Sequence, residues 1–381
     1  MILKYELEKI IKNKAFLAAS IISLVIIAGV FFVSYYSSQL TFAEQTNAEI
    51  GYPNLHSEII NMHSGEFTDE KVKEVLSDYM ERFQSDVNKQ PMDVFSWGIA
   101  DLFIDKSEDI YLKMGKAMEN GEKIIIDQID VVTIQERGFA SFANPLKLGN
   151  YNTWGNLFNV TNQLFILASL LIIFICSSIY SSETSSNINQ LLLSTKHGRG
   201  KLTIAKIIAA TGVSILVFLA IQTISFIFFY FYHGISGWDA SIQTNFSIFL
   251  YSFPVELNNM QVFFLVIAVQ MVGILSIVGM TLFVSSITKS PFISLAISLG
   301  VFVTPYLLGT IFQSGIIAKI LNLFPIQNYQ VEKMLTIMQT NTVYFFDSFF
   351  SNVILTICIA LVIKLIADVT IYYKIKYLQV K

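Results

Sequence analysis

The chain has 381 residues, of which 54% are hydrophobic and only 14% charged, with a formal net charge of −3. A soluble domain carries about 25% charged residues, so this composition argues against a water-soluble enzyme and for lipid as the solvent. The two cysteines, Cys176 and Cys358, lie far apart in apolar runs with no C-x-x-C spacing. They read as packing residues rather than a disulfide or metal pair.

Taken in chain order, the first element is an amphipathic helix in MILKYELEKIIKNKAF. Ile2, Leu3, Leu7, Ile10 and Ile11 form one face, and Lys4, Glu8, Lys9 and Lys12 the other, which suits a helix lying in the membrane interface. Six apolar runs then follow that can each cross a bilayer core, at 15–36, 161–180, 204–232, 260–287, 292–313 and 349–373. The first is too long for a signal-peptide core and no small-residue cleavage site follows it, so it is expected to be a retained anchor. The stretch 242–257 is short and holds Pro254 and Glu256, and is expected to be re-entrant or interfacial.

The segment 37–160 is polar. It holds 20 of the chain's 28 acidic residues and 10 of its 25 basic ones, an excess of ten negative charges. Such a surface attracts a basic peptide or a cation, and equally keeps a domain soluble beside anionic lipid. Within it, 68–88 is the clearest amphipathic helix: Val72, Val75, Leu76, Tyr79, Met80, Phe83 and Val87 keep the helical period, and Thr68 is placed to cap it. Further helices are expected at 92–104 and 107–119. The β-branched run 123–134 suits a strand or a helix. His56 and His63, seven residues apart with no third ligand near, read as surface histidines.

Lysine and arginine near the span ends set the orientation. Lys4, Lys9, Lys12, Lys14, Lys196, Arg199, Lys201, Lys289, Lys374, Lys376 and Lys381 all fall on one side, while the short loops opposite hold only Lys319 and Lys333. Both termini and the 181–203 loop are therefore expected in the cytoplasm, and 37–160 outside. The expected fold class is an all-α polytopic membrane protein with six transmembrane helices, an N-terminal interfacial helix and a mainly helical extracellular domain between spans one and two. The domains are expected at 1–36, 37–160 and 161–381.

The chain has no G-x-x-x-x-G-K-[ST], no G-x-S-x-G, no H-E-x-x-H and no kinase motif. No basic stripe interleaved with aromatics suggests nucleic acid. Lys364 and Asp368, one turn apart near the end of the last run, read as a helix-surface ion pair with Lys364 snorkelling; a buried functional pair is the other reading. With no nucleotide motif and no row of intramembrane acids, transport energy has to come from another subunit, or none is needed.

The loop between spans two and three is the most informative stretch. YSSETSSNINQLLLSTKHGRGKLTIAK places Glu183 at a span end, then a small polar stretch, Leu191-Leu192-Leu193, Ser194-Thr195, Arg199, Lys201 and Ala205-Lys206. In order and spacing it resembles the permeases of the ABC-2 type exporters. It departs from them at Ser186 or Asn187, where the family's glycine is missing, and at Lys196, which stands for its proline. The N-terminal helix, the six spans and the Leu-Asn-Leu-Phe-Pro run at 321–325, similar to an external re-entrant element, extend the resemblance. Longer members from Gram-positive bacteria carry an insertion like 37–160.

The resemblance implies that 181–201 is a coupling helix seated on a separate ABC ATP-binding subunit. Glu183, Asn189, Leu191, Leu192, Leu193, Arg199 and Lys201 would make the contact, and Leu3, Leu7, Ile10 and Ile11 would hold the interfacial helix on membrane lipid. It further implies a second permease subunit, identical or related, and no cofactor in this chain, ATP and Mg being bound by the partner. The location it implies is the cytoplasmic membrane. A receptor or immunity protein binding a peptide outside, and an ion-coupled transporter, are the competing readings.

Overall fold

The computed structural model describes residues 2–37, 52–85, 94–105, 109–195 and 198–377. Among these, six helices are long and apolar enough to cross a membrane: Lys14–Ser34, Tyr151–Ser185, Lys201–His233, Asn259–Ile287, Pro291–Ile311 and Phe349–Lys376. Each contains one of the six apolar runs or most of it. The chain divides into two compact units, Met1–Val30 with Asn159–Ile227 and Phe264–Lys381, and Phe31–Phe158 with Phe228–Phe263.

The first unit opens with α1 (Ile2–Ile11) and α2 (Lys14–Phe31), which continues through a π-helical turn at Phe32–Ser37. The break between them falls at Asn13, whose Oδ1 accepts the Ala15 N–H at 2.8 Å and so caps α2. The remaining span helices are α7 (Tyr151–Ser177) with the short α8 (Ser181–Ser185), α10 (Lys201–His233), α11 (Asn259–Ile287), α12 (Pro291–Ile311) and α15 (Phe349–Lys376). Pro291 at the first turn of α12 needs no donor there, and Ser290 Oγ accepts the Ile293 N–H. α7 starts at Tyr151, well before the apolar run at 161. Asn152, Thr153, Asn156 and Asn159 dilute its hydropathy, yet Trp154 is fully buried and donates from Nε1 to the Ser236 carbonyl at 3.0 Å. The first turns of this helix are thus solvated by protein, which a hydropathy pattern does not register.

Between α12 and α15 the chain forms α13 (Gly315–Leu321), a 3-10 turn at Pro325–Gln327 and α14 (Val331–Ile337). This segment folds back on the spans. Tyr329 stacks on Phe165 at 5.6 Å between centroids, Gln270 donates to the Tyr329 carbonyl, and Pro325 lies where a side chain on Gly273 would be. The Leu-Asn-Leu-Phe-Pro run is therefore packed against α7 and α11.

The second unit holds α3 (Tyr52–His63), β1 (Gly65–Phe67), α4 (Asp69–Ser85), α5 (Val94–Phe103), α6 (Ile110–Glu119) and β2 (Leu146–Leu148). β1 and β2 pair antiparallel, Gly65 opposite Leu148 and Phe67 opposite Leu146. α4 buries Val72, Val75, Leu76, Tyr79 and Met80, with Phe83 packed at the edge, and Thr68 Oγ1 accepts the Lys71 N–H at 3.2 Å. Val87 of the predicted stripe lies outside the described residues. The run 123–134 forms neither a long strand nor a helix. Gln84 pins it by donating to the Ile124 carbonyl and accepting its N–H, and it continues as a 3-10 turn and a single bridge from Val131 to Ile104.

The 242–257 stretch joins the core of this unit: Phe246 is buried among Phe67, Phe139 and Tyr151, and the Tyr251 carbonyl accepts the Ala140 N–H. One expectation is corrected in this unit: His63 is not a surface residue. Its ring is 1% exposed, with Nε2 at 2.8 Å from Asp78 and Nδ1 at 3.5 Å from Glu74. The His56 side chain lies outside the described residues. Burial works against the Asp78 carboxylate, but hydrogen bonds from His63 and Arg82 and the Arg82 charge outweigh it and hold Asp78 below its ordinary value.

Candidate functional site: the loop between spans two and three

The site is built from the inside outward. Span two ends with a break in the backbone at Ser178–Tyr180, between α7 and α8. Ser285 of α11 bridges it. Its hydroxyl donates to the Ser177 carbonyl at 2.8 Å and accepts the Tyr180 and Ser181 N–H groups at 3.1 and 3.2 Å. A helix break inside a bundle would otherwise leave these groups unsatisfied, at several kcal/mol each in a lipid-like medium.

The next residue of interest is Glu183, which the sequence places as a polar contact to a partner. The structure turns it inward. Lys206, buried on the first turns of α10, reaches Glu183 Oε1 at 2.5 Å and Glu6 Oε2 of α1 at 3.0 Å, and Lys9 of α1 also reaches Glu183 Oε1 at 2.5 Å. Two carboxylates and two ammonium groups form one neutral cluster joining three helices. The physical reason is Lys206: a span-end ammonium that is 2% exposed needs counter-charges. Burial lowers the Lys9 proton affinity, but the hydrogen bond to Glu183 and the charges of Glu183 and Glu6 prevail and hold Lys9 above an ordinary lysine.

Glu6 was missed in the sequence, although a signal existed. It stands three residues after Leu3 and four before Ile10, in the middle of the apolar stripe of α1. The structure buries Glu6 and Ile10, leaves Leu7 half-buried and leaves Leu3 and Ile11 exposed. The expected lipid-facing stripe is therefore split, one edge closing on the charge cluster and the other open.

Beyond Asn187, which takes the left-handed conformation at φ 59°, comes α9 (Ile188–Ser194). Leu191 is 69% exposed and Ile188 48%, whereas Leu192 is half-buried. The side chains of Asn189 and Leu193 and residues Lys196 and His197 lie outside the described set. Thr195 Oγ1 donates to the Leu192 carbonyl at 2.7 Å, and Gly198 closes on the same carbonyl, where a Cβ would stand 1.8 Å from the oxygen. Glycine is required here by close approach. Arg199 and Lys201 follow on the exposed surface. Of the predicted contacts, Leu191, Arg199 and Lys201 thus lie on the accessible side of the loop, while Glu183 and Leu192 support it from within.

Lys364 departs from its expected place. It is 8% exposed and hydrogen-bonded to Asp368, with its stem lying against Gly279 of α11, where a Cβ would meet Lys364 Cδ at 3.0 Å. Lys364 is buried between two helices because Gly279 vacates the space, with Asp368 half-buried beside it, and Lys364 does not snorkel.

This geometry is a capped span end, a charge cluster and a short helix offering apolar residues outward; among the described residues no group of three or more His, Cys, Asp or Glu side chains is placed to hold a metal ion. No curated relative and no solved structure matches the chain. Residues 1–367, nearly the whole length, match the family described as ABC-2 family transporter protein. The chain belongs to the ABC-2 family of membrane transporters, as one of its permeases.

Proposed function

We propose that this permease is the membrane subunit of an ATP-driven exporter in a bacterial cytoplasmic membrane, and that a separate ATP-binding subunit docks on the 181–201 loop. The observation carrying this reading is α9: an apolar residue as exposed as Leu191, on a loop fixed from behind by the Glu6–Lys206–Glu183–Lys9 cluster. An exposed leucine on a rigid support is the anchor that a partner groove fills. A push on α9 reaches α1 and α10 together, since both share the cluster. The basic residues flanking the loop favour the cytoplasmic side for it, where ATP is.

The permease works as a dimer, with itself or with a related permease. Only 17% of the most apolar stretch of α2 is buried within one chain, which leaves surface for lipid and a second copy. The partner ATPase brings ATP and Mg; this chain supplies no nucleotide site. The acidic domain suits a cationic or peptide cargo.

Co-purification with the candidate ATPase is the test. Leu191→Asp is expected to abolish it without changing the permease's own unfolding temperature. Retention of the complex in that variant would refute docking on α9.

A further inference from the structure

A cavity lies behind the loop, where four span ends meet. It encloses about 240 Å³ between the ends of the second, fourth and sixth spans and the start of the third. That is room for a polyatomic group rather than a single water. Three lysines line it, Lys206, Lys289 and Lys374, against one carboxylate, Glu183. The Lys206 charge is met by Glu6 and Glu183. Lys374 uses one N–H on the Ser286 carbonyl at 2.5 Å and keeps two. Lys289 is exposed at the rim. Thr184 and Thr288 line the same wall, their hydroxyls donating to the Tyr180 and Val284 carbonyls, so the donors left to a ligand are the lysine ammonium groups. The lining thus leaves positive charge and hydrogen-bond donors facing an open volume.

The surroundings define the rest of the ligand. Ile287 on the rim is 51% exposed, and Tyr373 and Tyr377, near Lys374 in sequence, are 52% and 69% exposed and stack at 6.1 Å. Lys376 lies over the rings of Tyr372 and Tyr377. Exposed tyrosines and lysines at a span end mark the headgroup level of a bilayer. A ligand here meets ammonium groups inside and apolar side chains outside.

We infer that this cavity binds the phosphate of an anionic phospholipid of the leaflet on the side of both termini, its acyl chains lying along the outer surface of α10, α11 and α15. The ligand chemistry, a phosphodiester anion on an apolar tail, follows from lysines clustered between helices at the membrane boundary. The site does not depend on which ATPase docks, but its wall includes Glu183, Leu192 and Gly198, so an occupied cavity stiffens the support of α9.

The full-length permease in neutral detergent, supplied with dioleoylphosphatidylglycerol, dioleoylphosphatidylcholine or inorganic phosphate, provides the test, read as unfolding temperature and as lipid retained in native mass spectrometry. Phosphatidylglycerol is expected to raise the unfolding temperature and stay bound, and phosphatidylcholine to do neither. Lys289→Ala and Lys374→Ala are each expected to weaken phosphatidylglycerol binding roughly tenfold, the size of one charge-assisted hydrogen bond. Lys319→Ala, outside the cavity, is expected to leave it unchanged and controls for general charge loss. Equal effects of the two lipids, or undiminished phosphatidylglycerol binding when both lysines are removed, would overturn the site. A response to inorganic phosphate alone, lost with the same lysines, would overturn the lipid as its source. Loss of ATPase co-purification in the lysine variants with phosphatidylglycerol binding intact would overturn it in favour of an acidic segment of the partner.

Discussion

Lys206 is the residue on which the loop turns. It sits at the start of a span, almost wholly enclosed, and is stabilised only because Glu6 and Glu183 approach it from two other helices. Lys206→Met would strand Glu6 and leave Glu183 with Lys9 alone, at a cost of about 3–5 kcal/mol, since breaking one partner of a buried ion pair leaves an uncompensated charge. Thermal unfolding in detergent reads this, and adding Glu6→Gln to Lys206→Met is expected to recover part of the loss. Asp78 makes a second prediction at this scale. Its carboxyl is held below the ordinary value, so its stabilisation is complete above the unfolded-state value near ~3.9 and disappears as pH falls through the lower folded value. Asp78→Asn, which replaces the charged acceptor of His63 and Arg82 with a neutral amide, is therefore expected to cost about 1–3 kcal/mol at pH 7 and progressively less below about pH 4. A penalty that does not change with pH would contradict this. Residues such as these were only half legible in sequence. Glu6 in an apolar stripe and Lys206 inside a span are visible anomalies, but their pairing joins positions 200 apart and needs the fold.

At the scale of elements, the spans and the polar supports between them differ in how they are encoded. Six hydrophobic runs declare themselves because lipid requires about 20 apolar residues whatever the neighbours are. The start of α7 lies ahead of the expected run for the opposite reason: its surroundings are protein, where asparagine and threonine are tolerated next to the buried Trp154. The break between α7 and α8 was not legible, because it depends on one hydroxyl from another helix. Ser285→Ala would leave the Tyr180 and Ser181 N–H groups without that acceptor and is expected to destabilise the permease by about 1–3 kcal/mol, read by thermal unfolding. Gly198→Ala would drive a methyl into the Leu192 carbonyl and is expected to displace α9. Faster hydrogen exchange across 188–195, with the spans unchanged, would report this; unchanged exchange would show that the loop tolerates the group.

At the scale of the whole molecule, the permease combines six span helices with a loop that exposes Leu191. The family, the six spans and the position of the loop all followed from the order of residues in 180–206 and the period of the apolar runs. The second unit did not: its small sheet, its aromatic core and the inclusion of Phe228–Phe263 depend on contacts between distant segments. The central claim concerns the outward side of the loop. Site-specific photo-crosslinking from position 191 in the assembled permease–ATPase complex tests it most directly, with position 350, an exposed phenylalanine at the start of α15, as the control. The expected result is a crosslink to the ATPase from 191 that changes in yield when ATP is added, and none from 350. A complex that assembles yet gives no crosslink from 191, or gives equal crosslinks from both positions, would contradict it.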